Sequence, residues 1–149
     1  MRLTGFDVLD ASIQATNRWF NELMQELNWA DRRKAYIVLR CVLQAWRDHL
    51  SIEDAVYLGE QLPTLIRGMY FEHWDPSDKP LPLRSRAEFF SSLSSNLARN
   101  GEHGSDAEKV TMALFRFLER KAIYGEISDL QHLVPAPLID LWPPALRAA

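Results

Sequence analysis

The chain is short of several things, and each shortage narrows what it can be. It has one cysteine, Cys41, in 149 residues. That leaves no partner for an intramolecular disulfide and no thiolate cluster for a metal, as suits a reducing cytosol. Cys41 sits at the edge of an apolar helix face with no cation placed to activate it, so it reads as a small buried hydrophobe. No apolar run approaches the ~20 residues that a membrane span needs. The opening MRLTGFDVLDAS lacks the basic-then-apolar profile of a secretory signal. A cytoplasmic protein is the expectation.

Glycine is sparse and dispersed. The six glycines form no phosphate-cradling G-x-G-x-x-G or Walker pattern, and no serine sits in a G-x-S-x-G elbow. Charge of one sign is also lacking: 17 basic and 20 acidic side chains give a net charge of -3. The deficit lies before Trp74 and neither half is basic, so nucleic acid is disfavoured as a partner. Arg32-Arg33-Lys34 is the one basic run, and at a helix start it reads as a solvated face. Nowhere does an apolar residue alternate with a polar one over a strand's length. The fold class is all-α.

What is present is a pattern of helices stated twice. A first helix from Asp7 or Asp10 to about Leu27 carries Leu9, Ile13, Phe20, Leu23, Met24 and Leu27 at three- and four-residue steps. Asp31 caps a second, about Arg32 to His49, with Val38, Leu39, Val42, Leu43 and Trp46 in register. Ser51-Ile52-Glu53-Asp54 opens a short third helix, and Pro63 a short fourth. Residues 75–84 (DPSDKPLPLR) contain three prolines and predict a non-helical crossover. The pattern then restarts. Capping boxes at Ser85-Arg86-Ala87-Glu88 and Ser105-Asp106-Ala107-Glu108 open two longer helices, and short segments follow from Ile127 and from Pro135 to Trp142. Phe20, Leu23 and Leu27 match Phe90, Leu93 and Leu97. Leu39 and Leu43 match Leu114 and Leu118, Ile52 matches Ile127, and Leu62-Pro63 matches Val134-Pro135. The expected architecture is one domain over 1–149 made of two tandem pseudo-equivalent repeats, about 7–74 and 85–143. About eight helices of alternating long and short length are expected. A unit of under ~60 residues is marginal alone, so the copies should share a core.

Three blocks carry a resemblance: Arg47-Asp48-His49-Leu50 before Ser51, Gln61-Leu62-Pro63, and Arg67-Gly68-Met69-Tyr70 followed by Trp74. Gly125-Glu126-Ile127 and Leu141-Trp142-Pro143 extend it through the second copy. From about Phe20 to Pro143 the chain resembles a bacterial and archaeal helical family, the domain of unknown function numbered twenty-two sixty-seven. It departs at His73, where the family usually has Gly, and at His49, where Arg is common. The resemblance implies an all-helical protein with no assigned activity and no catalytic residues to carry over.

The residues themselves offer little chemistry. Carboxylate-bridged metal bundles need Glu-x-x-His on two helices. This chain has one loose echo, Asp129-Leu130-Gln131-His132, and its counterpart Asp54-Ala55-Val56-Tyr57 has no His. No metal and no cofactor is therefore expected, and His132 reads as exposed. The five tryptophans are accounted for by core packing, with Trp29 and Trp74 at helix ends available to a partner.

The duplication also works as a filter, since positions shared by both copies are explained by packing. Arg47, Asp48, Gln61, Arg67 and Tyr70 have no polar counterparts, and with Trp74 they form the candidate interaction surface. One account is a surface for an anionic ligand or a partner protein. The simpler account is an ion pair, Asp48 or Glu60 with Arg67, tying the second helix to the fourth. The reading is a non-catalytic interaction or adaptor module whose partner is another protein. The alternatives are a small-molecule or metal-binding enzyme with a pocket at the repeat junction, and a nucleic-acid-associated regulator.

Overall fold

In a computed structural model of the chain, residues 3–143 are described; positions 1–2 and 144–149 of the expected domain lie outside them. The described residues form one all-helical domain with no strand. Its elements are α1 (Asp7–Leu27), α2 (Arg32–Arg47), α3 (Ile52–Glu60), α4 (Thr64–Phe71), α5 (Arg86–Arg99) and α6 (Ala107–Ile123). Three 3₁₀ segments, Pro76–Asp78, Gln131–Leu133 and Ala136–Leu141, complete them.

Local chemistry sets most of the boundaries. Asp31 accepts from the backbone N–H groups of Arg33 and Lys34, and Ser51 and Ser85 accept from those of Asp54 and Glu88. Asn28 ends α1 in the left-handed conformation, at φ 56°. His73 stands at φ 62°, in the left-handed region that favours glycine.

Several expectations are corrected. The cap of α6 is Asp106, which accepts from Glu108 and Lys109, and not Ser105. Asp106 wins because one carboxylate oxygen reaches two amides. α2 ends at Arg47, two residues before His49. The crossover holds one 3₁₀ turn, because Asp75 caps it and Pro76 fits the first helical position. Long and short elements come in pairs and do not alternate: two long, then two short. In the second half both short elements are 3₁₀ helices. Leu9 is exposed, since the first turns of α1 project past the core.

The core is continuous. α2 touches α1, α4, α5 and α6, while α1 packs on α6. Trp46, Phe115 and Trp142 meet at its centre, with ring centroids 5.1 to 6.4 Å apart. The Trp46 indole donates to the Leu133 carbonyl at 2.9 Å, joining the halves. Cys41 is buried. Arg40 and Arg99 lie near enough to favour its thiolate, but burial outweighs them and pushes the thiol up.

Candidate functional site

Five of the six sequence-derived residues are engaged inside the protein. Arg47, 3% exposed, donates to the carbonyls of Tyr70 (2.6 Å) and Glu72 (2.8 Å) and pairs with Asp48 at 2.9 Å. Tyr70 is fully buried and donates its hydroxyl to Ala55 O at 2.7 Å. Burial pushes the phenol well above the usual tyrosine range; Arg47 opposes that shift, and Asp48 adds to it. Arg67 does not form the expected ion pair among the described residues. Its guanidinium donates to Gly59 O (2.9 Å), Leu62 O (3.1 Å) and Glu60 O (3.4 Å). Three carbonyls at and just past the end of α3 converge on the guanidinium, and those of Gly59 and Glu60 lie at the negative end of the helix dipole. Gln61 accepts from the Ser128 N–H at 2.9 Å, linking the halves at the surface. Trp74 is half-buried against Phe71, and its indole N–H has no hydrogen-bond acceptor among the described residues. These residues therefore fall into two groups. Arg47, Asp48 and Tyr70 order α2 against α4 and the turn before Trp74; Arg67 shapes the loop that carries Gln61.

A second feature lies on the opposite seam, between α1 and α6. Lys121 is only 3% exposed, and its stem lies beside aromatic rings. Its ammonium is 5.4 Å from the Trp19 ring centroid and 5.5 Å from that of Phe117. It forms ion pairs with Glu22 and, at 2.8 Å, with Glu126. One turn along, Glu26 takes Arg116 at 3.0 Å and Arg120 at 3.2 Å. Above these pairs lies a cavity of about 360 Å³, with Gln25 and Tyr124 among its lining residues. Past Glu126 it meets a wider depression of about 550 Å³ bounded by Arg18, Gln61 and Pro63. The result is a groove along α1 that ends at one of the sequence-derived residues. Lys121 falls at helical steps from Val110, Leu114 and Phe117 in the sequence, but the candidate surface read from the sequence did not include it. A lysine on an apolar stripe was the available signal.

The groove's charges answer one another and do not converge on a free point. Among the described residues no group of three His, Cys, Asp or Glu side chains is placed to hold a metal ion. His132 is exposed and lies against the Tyr57 ring. No described helix is long and apolar enough to cross a membrane.

Residues 16–141 match the family described as an uncharacterized conserved protein (DUF2267). The chain belongs to that family. Comparison with curated proteins finds no match. The matched span takes in the six sequence-derived residues and all the residues lining the cavity of about 360 Å³. Membership describes this chain as one of a family of uncharacterized conserved proteins.

Proposed function

We propose that this DUF2267 protein is a non-catalytic interaction module made of two pseudo-equivalent helical halves, with another protein as its partner. The halves, about 7–74 and 85–143, join through 75–84. The packing supports the pseudo-equivalence. α1 lies on α6 while α5 lies on α2, which is the pairing expected if α1 exchanges with α5 and α2 with α6. Asp31 and Asp106 cap their helices through the same pair of amides. The Leu62 N–H to Gly59 O bond recurs as Val134 N–H to Gln131 O, each at 3.1 Å.

The observation that carries the functional reading is the α1–α6 groove, whose ionised side chains are mutually paired beneath a rim holding Tyr124 at 78% exposure. Paired charges under an exposed aromatic suit contact with a protein surface, where tyrosine and arginine are favoured. Gln61 borders one end of the groove, and the Trp74 turn offers a second, half-exposed contact. A photo-crosslinking residue at position 25, on the groove wall, tests this in the native host. The expected result is a discrete protein adduct that is absent when the crosslinker sits at Glu53. Equal labelling from both positions, or none from position 25, overturns the reading.

A further inference from the structure

The α1–α6 groove has a counterpart in the other half, between α2 and α5, and the chain itself fills that one. Leu81, Pro82 and Leu83 of the crossover lie across α2 and α5 and leave a cavity of about 210 Å³. The Leu81 N–H donates to Asp48 O at 2.8 Å, and His49 Nδ1 lies 2.9 Å from Leu81 O. A carbonyl only accepts, so Nδ1 carries the hydrogen and donates. Leu83 packs on the core.

The register that matches Leu23 with Leu93 sets Trp19 opposite Phe89 and Glu26 opposite Asn96. The register that matches Leu118 with Leu43 sets Tyr124 opposite His49. Each of these lines its own seam or packs in it. The two grooves are thus built on the same positions, but among the described residues only one contains chain. The reason lies in α1, which stays helical from Asp7. α5 begins at Arg86, so the residues before it are free to run extended into the seam.

We propose that the α1–α6 groove binds an extended, proline-containing segment of a partner protein, as the α2–α5 groove holds residues 81–83. This rests on the interaction-module reading and on the pseudo-equivalence of the halves. Two features support it. The α1–α6 cavity, about 360 Å³, holds none of the described chain, whereas its counterpart is lined by Leu81, Pro82 and Leu83 of the crossover. Tyr124 stands where His49 donates to the bound carbonyl, and a phenol offers the same donor. Proline stiffens an extended segment and lowers the entropy lost on binding.

The probe is a fluorescent peptide with the sequence of residues 78–86, titrated into the full-length protein. Saturable binding is expected, weakened about fivefold or more by Tyr124→Ala and again by Gln25→Lys. Both positions are exposed, so thermal melts of the variants should match the parent. A peptide carrying Leu81→Asp and Leu83→Asp should not bind. No saturation by roughly millimolar peptide overturns the proposal, as does affinity indifferent to Tyr124→Ala. So do amide shifts that map to α2 and α5, which mean displacement of the crossover. If position 25 still crosslinks a partner in the host while the peptide fails, the module reading stands and the partner chemistry is wrong. If both fail, both readings fall.

Discussion

At the scale of single residues, the same polar side chains can serve the fold and a surface at once. Arg67 ties together the carbonyls of Gly59 and Leu62, at and just past the end of α3, and in doing so holds the loop bordering the groove. Arg67→Ala should cost about 1–3 kcal/mol, read as a fall in melting temperature. Arg67→Lys should recover only part of it, because a point donor cannot span two carbonyls. Unchanged melting in Arg67→Ala would mean that water replaces the guanidinium without loss. Tyr70 makes a pH-dependent contribution. Its folded phenol holds its proton above the unfolded value of about 10. The stabilisation is therefore complete below that pH and is lost as pH rises through and beyond it. Tyr70→Phe should lower stability by about 1–2 kcal/mol near neutrality, through the lost bond to Ala55 O. It should also flatten the alkaline fall in denaturant midpoint above about pH 10. Parallel alkaline curves for parent and variant would refute the assignment. The sequence pointed to Arg47 and Arg67, as polar residues without polar counterparts at the corresponding positions of the later segment, and to Tyr70 only as their neighbour. Their partners were not legible, because backbone carbonyls leave no trace in residue identity.

At the scale of elements, caps and close approaches decide what a helix tolerates. Ser105 and Asp106 both looked like caps in the sequence. In the structure Asp106 makes both bonds, while the Ser105 hydroxyl is buried without a partner. Asp106→Ala should cost about 1 kcal/mol, and Ser105→Ala clearly less, in denaturant unfolding. A larger loss at Ser105 would restore the capping box. Two helical glycines should respond with opposite signs. A Cβ on Gly59 would sit 2.6 Å from the Phe71 ring, so α3 and α4 approach here only because no side chain intervenes. At Gly68 nothing lies within 4 Å. Gly68→Ala should raise stability by roughly 0.5–1 kcal/mol through helix propensity, whereas Gly59→Ala should lower it despite the same gain. Thermal melts of the pair check both signs. Helix positions were legible from periodicity and caps; the 3₁₀ character of the last two segments was not. Pro135 and Pro137 lack amide donors at the start of the last of them, but the tighter winding of that segment depends on packing against α6.

At the scale of the whole molecule, the question is whether each half has a core of its own. The packing says it does not. Trp19 of α1 meets Phe117 of α6 edge to face at 5.1 Å, and Trp46 of α2 meets Phe115 of α6 at 5.2 Å. Glu26 of α1 pairs with Arg116 and Arg120 of α6, so the ionic contacts also cross between halves. Cutting the chain in the crossover would strip both faces at once and expose apolar surface that neither fragment can cover within itself. Units of this size are also marginal because too small a fraction of their surface is buried. Fragments 1–78 and 79–149, prepared separately, should each lack a cooperative thermal transition by circular dichroism. Mixed in equal amounts they should regain a single one, since contacts between α1 and α6 and between α2 and α5 need no covalent link. The reassociated protein should also melt at a temperature that rises with concentration, because the halves must now meet as separate molecules. Cooperative melting of 1–78 alone would show a self-sufficient half, and the account of one core shared by both halves would then be wrong.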